Sequence, residues 1–225
     1  MNHQHFKEIS STQDYLRNFE LLEGDILISC DHQTNGVGQY DRAWHQYDGG
    51  LCFSFTLDPS EVLSLSSLEI SILICKYFKE TYKTDLKVKW PNDLFTDKGD
   101  KCGGILIHHS SSKKSLIVGI GLNYFQGVIN KDFKFKNGSI FPDEFSYHSK
   151  DEAFKIYNFI LNNRILYKYI PKMWKEFCIH LNKFVKVTDN QTEIEGEFTD
   201  IGEHGEAIVQ TNNGVKKFYS GSLKF

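Results

Sequence analysis

The sequence predicts an α+β fold, in which a larger part built of strands and helices is followed by a small β-barrel. One long helical pattern, from about residue 61 to about residue 82, lies between β-prone runs. Short strands separated by turn residues fill the chain from residue 184 onward. Phe and Tyr are plentiful, at 18 and 11 residues, and both suit a β-rich core.

Composition and charge place the chain among ordinary globular proteins. It has 225 residues, of which 40% are hydrophobic and 24% charged, and a formal net charge of −3. That balance is not typical of a basic nucleic-acid binder. The five cysteines are scattered without a CxxC pair, which predicts reduced thiols in the cytoplasm. The polar N-terminal residues predict no signal peptide, and no apolar run is long enough to cross a bilayer.

The first predicted elements are a helix and a strand. Ser11 or Thr12 precedes apolar residues at helical spacing as far as Leu22, which is the pattern of a helix N-cap. A hydroxyl pair at a helix start can also bind a polar ligand group. Gly24 ends this helix, and a strand follows over residues 25–29.

A long segment without hydrophobic periodicity runs from Cys30 to Trp44. Such loops in compact domains are usually functional or disordered. Its glycines would let the backbone adopt positive φ and approach a ligand, while its amide, guanidinium and indole groups could bind one. These residues are Gly36, Gly38, Gln33, Arg42 and Trp44. The glycines do not form a Rossmann fingerprint, because Asp41 stands at the third glycine position.

A strand over Gly50–Leu57 leaves this loop, and Ser60 then caps the long helix, from about Glu61 to about Tyr82. The apolar residues of that helix lie mostly three and four positions apart, so we expect one buried face.

Polar residues follow the next predicted strand, over residues 86–90. Pro91 ends that strand, and Asn92 and Asp93 are turn formers. Asn92 also has the donor–acceptor pair that an adenine edge needs, and Asp93 could hold Mg²⁺ through oxygen.

Lys101 begins another predicted strand, next to two glycines. A lysine in this position can lie over a bound anion, while Gly103 and Gly104 leave space where side chains would obstruct. A buried strand over Ser115–Asn123 contains two more glycines, which often mark close approach of a ligand.

The remaining chain predicts a loop, helices and the barrel. Residues 126–145 are irregular, and residues 151–181 are helical, with Pro171 dividing them into two helices. The change of pattern near Lys183 predicts a domain boundary there, between residues 1–183 and 184–225.

Four motifs occur in order along the chain: Gly-x-Gly-x-x-x-Arg-x-Trp at 36–44, Lys-Trp-Pro-Asn-Asp at 89–93, Lys-x-Gly-Gly-Ile-Leu at 101–106 and Gly-Ile-Gly-Leu-Asn at 119–123. Together they resemble the biotin–protein ligases, that is, biotin–[acetyl-CoA-carboxylase] ligases. The resemblance implies a mixed sheet flanked by helices, of the class II synthetase type, with an SH3-like C-terminal domain. It also implies ATP-dependent attachment of biotin to a lysine of a biotin carboxyl carrier domain, through biotinyl-5′-AMP.

The resemblance further implies residue roles. Biotin would contact Ser11, Thr12, Gln33, Gly36, Val37, Gly38, Lys101, Gly103 and Gly104. ATP would contact Arg42, Trp44, Asn92, Lys101, Gly121 and Asn123. Lys101 and Arg42 would be catalytic, and Asp93 would help to bind Mg²⁺.

The chain departs from this family pattern in places. Val37, Gln39 and Tyr40 stand where basic residues are common, so either retention of the adenylate should be weaker or that load should shift to Arg42 and Lys101. Gln13 stands where the family has asparagine. Ten residues precede Ser11, which leaves no space for the DNA-binding helix-turn-helix of many bacterial members, so we expect no DNA binding. We expect no membrane association, and a homodimer is compatible with the family.

Two alternatives remain at this level. One is a lipoate or octanoate ligase or transferase of the same fold. The other is a sensor that binds biotin without catalysis, which the arginine-poor loop favours and the intact Lys101 and Asp93 disfavour.

Overall fold

The computed structural model describes residues 1–18, 24–110, 115–125, 138–143, 145–189 and 192–225. In chain order the elements are β1 (Asn2–Ile9), α1 (Thr12–Arg17), β2 (Ile26–Gln33), β3 (Gly36–Val37), β4 (Ala43–Trp44), β5 (Gly50–Leu57), α2 (Ser66–Tyr82), β6 (Leu86–Lys89), β7 (Asp93–Thr96), β8 (Lys101–Ser110), β9 (Ser115–Asn123), α3 (Ser149–Asn162), α4 (Ile170–Phe177), β10 (Phe184–Asp189), β11 (Thr192–Ile201), β12 (Ala207–Thr211), β13 (Gly214–Phe218) and β14 (Ser222–Lys224). Three predicted features lie outside the described residues: the end of the first helix at Leu22, a turn between two strands at residues 111–114, and most of the loop over residues 126–145.

Seven strands form one sheet in the order β1-β2-β5-β9-β8-β7-β6. β1 and β2 pair in parallel, and the other neighbours pair antiparallel. The predicted α+β fold, with a mixed sheet flanked by helices, is confirmed. The sequence pattern does not predict β1, because this edge strand is polar and none of its residues is fully buried.

The two faces of this sheet differ because side chains alternate along each strand. In β5, Phe53 and Phe55 belong to the large core that α2 and α3 cover. Cys52 and Ser54 point to the opposite face and line a cavity there. α1 also packs on this second face. One face therefore stabilises the fold, and the other is available to a ligand.

Helix α2 starts later than predicted and is buried more completely. A 3-10 turn over Leu63–Leu65 precedes it, and Leu65 rather than Ser60 is its N-cap. Glu69 within α2 is fully buried, and its two carboxylate oxygens accept from the Arg164 guanidinium at 2.8 and 3.0 Å. This bidentate pair fixes the segment between α3 and α4 against α2.

The predicted helical stretch divides in two, as expected. α3 ends at Asn162, and Pro171 lies in the first turn of α4, where its missing N–H is tolerated. Pro171 therefore begins the second helix, and the break lies upstream of it. α4 ends at Phe177 rather than near Leu181.

The C-terminal strands form a five-stranded antiparallel sheet in the order β13-β12-β11-β10-β14. This is the predicted small SH3-like unit, with β14 in addition to the expected strands, and the pairing of the described strands does not close it into a barrel. It packs tightly against the rest: the Trp90 indole N–H donates to the Gly205 carbonyl at 3.0 Å, and Val185 and Phe198 belong to the large core. Among the described residues, no helix is both long and apolar enough to cross a membrane.

Candidate active site

A cavity of about 340 Å³ opens on the second face of the seven-stranded sheet. Its volume falls in the range of ordinary small-molecule sites. α1, the β3–β4 hairpin, β8, β9 and β14 all contribute to its walls. Most of the predicted site residues line it: Ser11, Thr12, Gln33, Val37, Gly38, Arg42, Trp44, Asn92, Asp93, Lys101, Gly104 and Gly121.

A network of hydroxyls and an amide forms one part of the wall. Ser11 caps α1 by accepting from the Asp14 N–H at 3.2 Å, which places Thr12 at the first helical position. The Thr12 N–H and Oγ1 donate to Gln33 Oε1 at 2.9 and 3.2 Å. Thr12 Oγ1 also lies 2.9 Å from Ser54 Oγ. Because these bonds use the carbonyl oxygen of Gln33, its amide N–H₂ is the group it can offer to a ligand.

Gln46 holds this network in place and was not predicted. Its Oε1 accepts from the Gln33 N–H at 2.8 Å, and its Nε2 donates to the carbonyls of Asp31 and Gly50, both at 2.8 Å. Gln46 therefore ties the end of β2 to the start of β5. A single glutamine in a loop gives no sequence signal for such a role.

Two facing glycines make a flat floor under Trp44. Gly104 and Gly121 are cross-strand partners in β8 and β9. A Cβ on Gly121 would overlap the Trp44 indole, and one on Gly104 would lie 3.5 Å from it. The space that Gly121 leaves is therefore filled by the indole rather than left directly for ligand, which corrects the expectation from sequence.

The cationic part of the cavity centres on one carboxylate. Lys89 Nζ lies 2.6 Å from Asp93 Oδ2, and Lys101 Nζ lies 2.6 Å from Asp93 Oδ1. The Lys101 ammonium also lies 5.7 Å from the centre of the Trp44 ring. Burial alone would raise the pKa of Asp93, but the ammonium groups of Lys89 and Lys101 outweigh it and hold that pKa below its usual value. Lys89 was not predicted as a site residue.

The predicted role of Asp93 as a metal ligand stays a prediction, and a metal ion there would lie beside two ammonium groups. Each carboxylate oxygen already contacts an ammonium group. In the described part of the chain, no three His, Cys, Asp or Glu side chains come together in a way that could hold a metal ion.

The loop geometry differs from the prediction. Gly36 and Gly38 do not adopt positive φ; the left-handed residues are Tyr40 and Asp41, with φ of 58° and 55°. Arg42 is exposed beside them at the cavity, with its guanidinium carbon 5.7 Å from the centre of the Tyr40 ring.

The C-terminal sheet supplies part of the wall, which sequence patterns did not reveal. Ser222, Leu223 and Lys224 of β14 line the cavity. The neighbouring Gly221 N–H donates to the Tyr40 hydroxyl at 3.1 Å. The left-handed turn of the loop is thus bound to the C-terminal sheet.

Three predicted site residues lie outside the cavity wall. Gly36 pairs with Trp44 across the hairpin, and a Cβ there would meet the Gln33 amide. Gly103 faces the core, where a Cβ would lie 2.8 Å from Leu122. Asn123 is buried, and its side-chain N–H₂ donates to the Gly138 carbonyl at 3.3 Å. Close packing accounts for both glycines, and Asn123 anchors the neighbouring segment.

Asn92 lines the cavity with part of its amide already bonded. Its N–H₂ donates to the Ile105 carbonyl at 2.7 Å, and the Ile105 N–H donates back to the Asn92 carbonyl at 3.0 Å. This leaves the side-chain oxygen of Asn92 as the acceptor that it can present to a ligand.

A mixed sheet with a polar and cationic cavity on one face, beside a small SH3-like sheet, defines a ligand-binding α+β protein. Residues 5–124 match the Biotin/lipoate A/B protein ligase family, and residues 180–223 match the Biotin protein ligase C terminal domain. The first match spans more than half of the chain, and the chain therefore belongs to the biotin/lipoate A/B protein ligase family.

Individual relatives agree with this assignment. The solved structure of the biotin protein ligase from Aquifex aeolicus in complex with biotin and ATP is similar to this chain with a TM-score of 0.83 and 28% identity, covering 99% of this chain and 98% of that one. The bifunctional ligase/repressor BirA of Bacillus subtilis (strain 168) is 25% identical over an alignment of 234 positions, which covers 96% of this chain and 71% of BirA. Biotin–protein ligase 1, chloroplastic, of Arabidopsis thaliana is 35% identical over 131 residues, or 53% of this chain and 35% of that protein.

Proposed function

We propose that this protein is a biotin–protein ligase, which uses ATP to attach biotin to a lysine of a biotin carboxyl carrier domain through biotinyl-5′-AMP. One observation supports this most strongly: a single cavity joins a hydroxyl–amide network to a pair of lysines. The first suits a polar ring, and the second suits phosphate. We also propose that residues 1–183 form the catalytic domain and that residues 184–225 form a second domain, which completes the wall of the cavity.

In the first half-reaction, a carboxylate oxygen of biotin attacks the α-phosphorus of ATP. A C–O–P anhydride bond forms, the bond to the β-phosphate oxygen breaks, and pyrophosphate leaves. Negative charge grows on the phosphorus oxygens in the transition state. Lys101, fixed by Asp93 and over Trp44, would neutralise it, with Arg42 at the cavity edge as a second cation.

In the second half-reaction, the neutral amine of the carrier lysine attacks the carbonyl carbon of the anhydride. An amide bond forms, AMP leaves with the bonding electrons, and the nitrogen gives up a proton. The anhydride must survive until the carrier arrives. The hairpin loop and β14, which both line the cavity, would limit its contact with water.

The two substrates would lie side by side. Thr12 and Gln33 would hydrogen-bond the ureido ring of biotin, next to Ser11. Asn92 would accept from the exocyclic amine of adenine through its side-chain oxygen, with Trp44 as a flat neighbour. Mg²⁺ would enter as part of the substrate, bound to the phosphates of ATP.

The same network disfavours a lipoate or octanoate ligase. The Thr12 N–H and hydroxyl already use the Gln33 oxygen, so the buried N–H₂ group of Gln33 would face an aliphatic chain that cannot accept a hydrogen bond. A sensor without catalysis is disfavoured by the two lysines held in the same cavity.

A direct assay tests these possibilities. The protein is incubated with MgATP, a biotin carrier domain and either biotin or lipoate, and the carrier is analysed by mass spectrometry. We expect one biotin on one lysine and no lipoyl product. Pyrophosphate release with lipoate alone would establish the first alternative. Biotin binding without pyrophosphate release would establish the second.

A further inference from the structure

We propose that Asp93 is a positioning residue that holds Lys89 and Lys101 as a pair of phosphate-binding cations, and that it does not bind the metal ion that accompanies ATP. This proposal rests on the proposed function, because it assigns the pair to the triphosphate. It adds Lys89 to Lys101 and Arg42 as a further cation, which would face the pyrophosphate that leaves.

The fold brings the three side chains together through two successive hairpins. Lys89 and Asp93 are cross-strand partners in β6 and β7, and Lys101 follows at the start of β8. The side chains of Lys89 and Asp93 are largely covered, at 13% and 16% exposure, and that of Lys101 is partly exposed, at 36%. All three line the cavity.

Each ammonium is held by a second contact as well. Lys89 Nζ lies 5.6 Å from the centre of the Phe95 ring, and Lys101 Nζ lies 5.7 Å from the centre of the Trp44 ring. Cation–π contacts of this kind restrict where an ammonium can move. The two ammonium groups are therefore held in place on opposite oxygens of one carboxylate.

Charge balance favours an anionic ligand. Two ammonium groups and one carboxylate leave one positive charge in a covered site, where Coulomb forces are stronger than in water. An ammonium has three N–H donors, and Asp93 uses one from each lysine. The others can donate to phosphate oxygens without breaking the contacts to Asp93.

A metal ion bound directly to Asp93 would be a second cation on a carboxylate oxygen that already contacts an ammonium group, and it would lie beside both lysines. Neighbouring positive charges disfavour such binding.

Affinity for ATP with and without Mg²⁺ separates the two roles. We would measure the dissociation constant of ATP by calorimetry, in excess Mg²⁺ and in EDTA, for the native chain and for Asp93→Asn. Removing the negative charge should leave both constants unchanged or tighten both, by up to about tenfold, so their ratio stays the same. In biotin-dependent pyrophosphate release, kcat should fall at least about tenfold with KM for ATP unchanged or lower, because Lys101 is no longer fixed. If Asp93→Asn weakened ATP binding in excess Mg²⁺ but left ATP binding in EDTA unchanged, the proposal would be overturned.

Lys89→Met tests this further cation, and Lys186→Met is its matched control. Like Lys89, Lys186 forms ion pairs, in its case with Glu193 and Glu195. It lies on the C-terminal sheet and does not line the cavity. Lys89→Met should weaken ATP binding about tenfold and leave biotin binding unchanged, whereas Lys186→Met should change neither. Equal ATP affinity in Lys89→Met and the native chain would overturn the role of Lys89. If the native chain binds ATP but forms no adenylate, the proposed function fails while these affinities still decide the role of Asp93.

Discussion

Lys101 contacts a carboxylate and an indole face and is still 36% exposed, so it can reach a ligand without supporting the core. Lys101→Met keeps the length of the side chain and removes its charge. We expect biotin-dependent pyrophosphate release to fall by about two to three orders of magnitude, with little change in thermal stability, because a fixed donor to the transition state is lost. A native-like rate would remove our role for Lys101. Lys98→Met, at the nearby hairpin tip, is the control.

His180 makes the fold sensitive to acid. It is fully buried and packs against the Phe198 ring at 4.3 Å. Burial lowers the pKa of His180 from 6.5 to about 3, with a smaller contribution from the charges of Lys89 and Lys183. Between pH 6.5 and about pH 3, His180 is therefore protonated in the unfolded chain and neutral in the folded chain. Its contribution to stability is present above pH 6.5 and is lost as the pH falls toward 3.

His180→Phe should remove this sensitivity. Between pH 6.5 and pH 4 the free energy of unfolding should fall less in the variant than in the native chain, by on the order of 3 kcal/mol. Chemical denaturation at several pH values gives the comparison, and His109→Phe, at an exposed position, is the control. Parallel pH profiles for native chain and His180→Phe would contradict this account.

Sequence motifs located Ser11, Thr12, Gln33 and Lys101, and the structure places all four around one cavity. They could be found because they lie at or near the predicted ends of strands and helices, where polar side chains can reach a ligand. Ser54 and Gln46 could not be found in this way, and the motif at 89–93 contains Lys89 without indicating its role. Their importance comes from side-chain partners that are distant in sequence or that belong to another element, and such partners appear only when the sheet is assembled.

The β3–β4 hairpin is linked to the C-terminal sheet by one hydrogen bond between the Gly221 N–H and the Tyr40 hydroxyl. Tyr40→Phe removes the acceptor and keeps the ring. Opening of the loop should become easier by about two- to tenfold, and trypsin should cleave after the exposed Arg42 faster by that factor. The control is Tyr219→Phe, which changes an exposed tyrosine, and trypsin should cleave this variant at the native rate. Equal rates for native chain and Tyr40→Phe would show that this bond does not hold the hairpin.

The glycine floor under Trp44 sets the position of the same hairpin. Gly121→Ala would place a methyl group where the indole lies, so Trp44 must move. We expect a changed near-UV circular dichroism spectrum and a loss of ATP affinity of about tenfold or more, because the indole is part of the cavity wall. An unchanged spectrum with unchanged affinity would mean that the floor tolerates a side chain.

Element by element, apolar periodicity located the buried strands and helices well. It failed at β1, which is polar and is held at the sheet edge by pairing with β2 and by bonds from His3 and His5 to Ser29 Oγ, both at 2.9 Å. It also misplaced the start of α2, because a 3-10 turn there has the same apolar residues as a helix.

At the scale of the whole molecule, the two sheets share one core. Val88 of β6 forms an isolated β-bridge with Cys178, the residue that follows α4. Val187 and Phe198 of the C-terminal sheet belong to the same hydrophobic cluster as the residues under the seven-stranded sheet. We expect one cooperative unfolding transition, with equal calorimetric and van't Hoff enthalpies. Two transitions, or a calorimetric enthalpy well above the van't Hoff value, would show that residues 184–225 unfold separately. The sequence indicated a change of pattern near Lys183 but gave no sign that the parts on either side share an interior.

The unequal placement of the three tryptophans has a practical consequence. Trp90 and Trp174 are 1% and 0% exposed, whereas Trp44 lies at the cavity with an ammonium group above its ring. Changes in intrinsic emission when small molecules are added should therefore originate from one chromophore. An unlabelled titration then reports directly on occupancy, and a Trp44→Phe chain, which keeps the two buried indoles, provides the reference that should not respond.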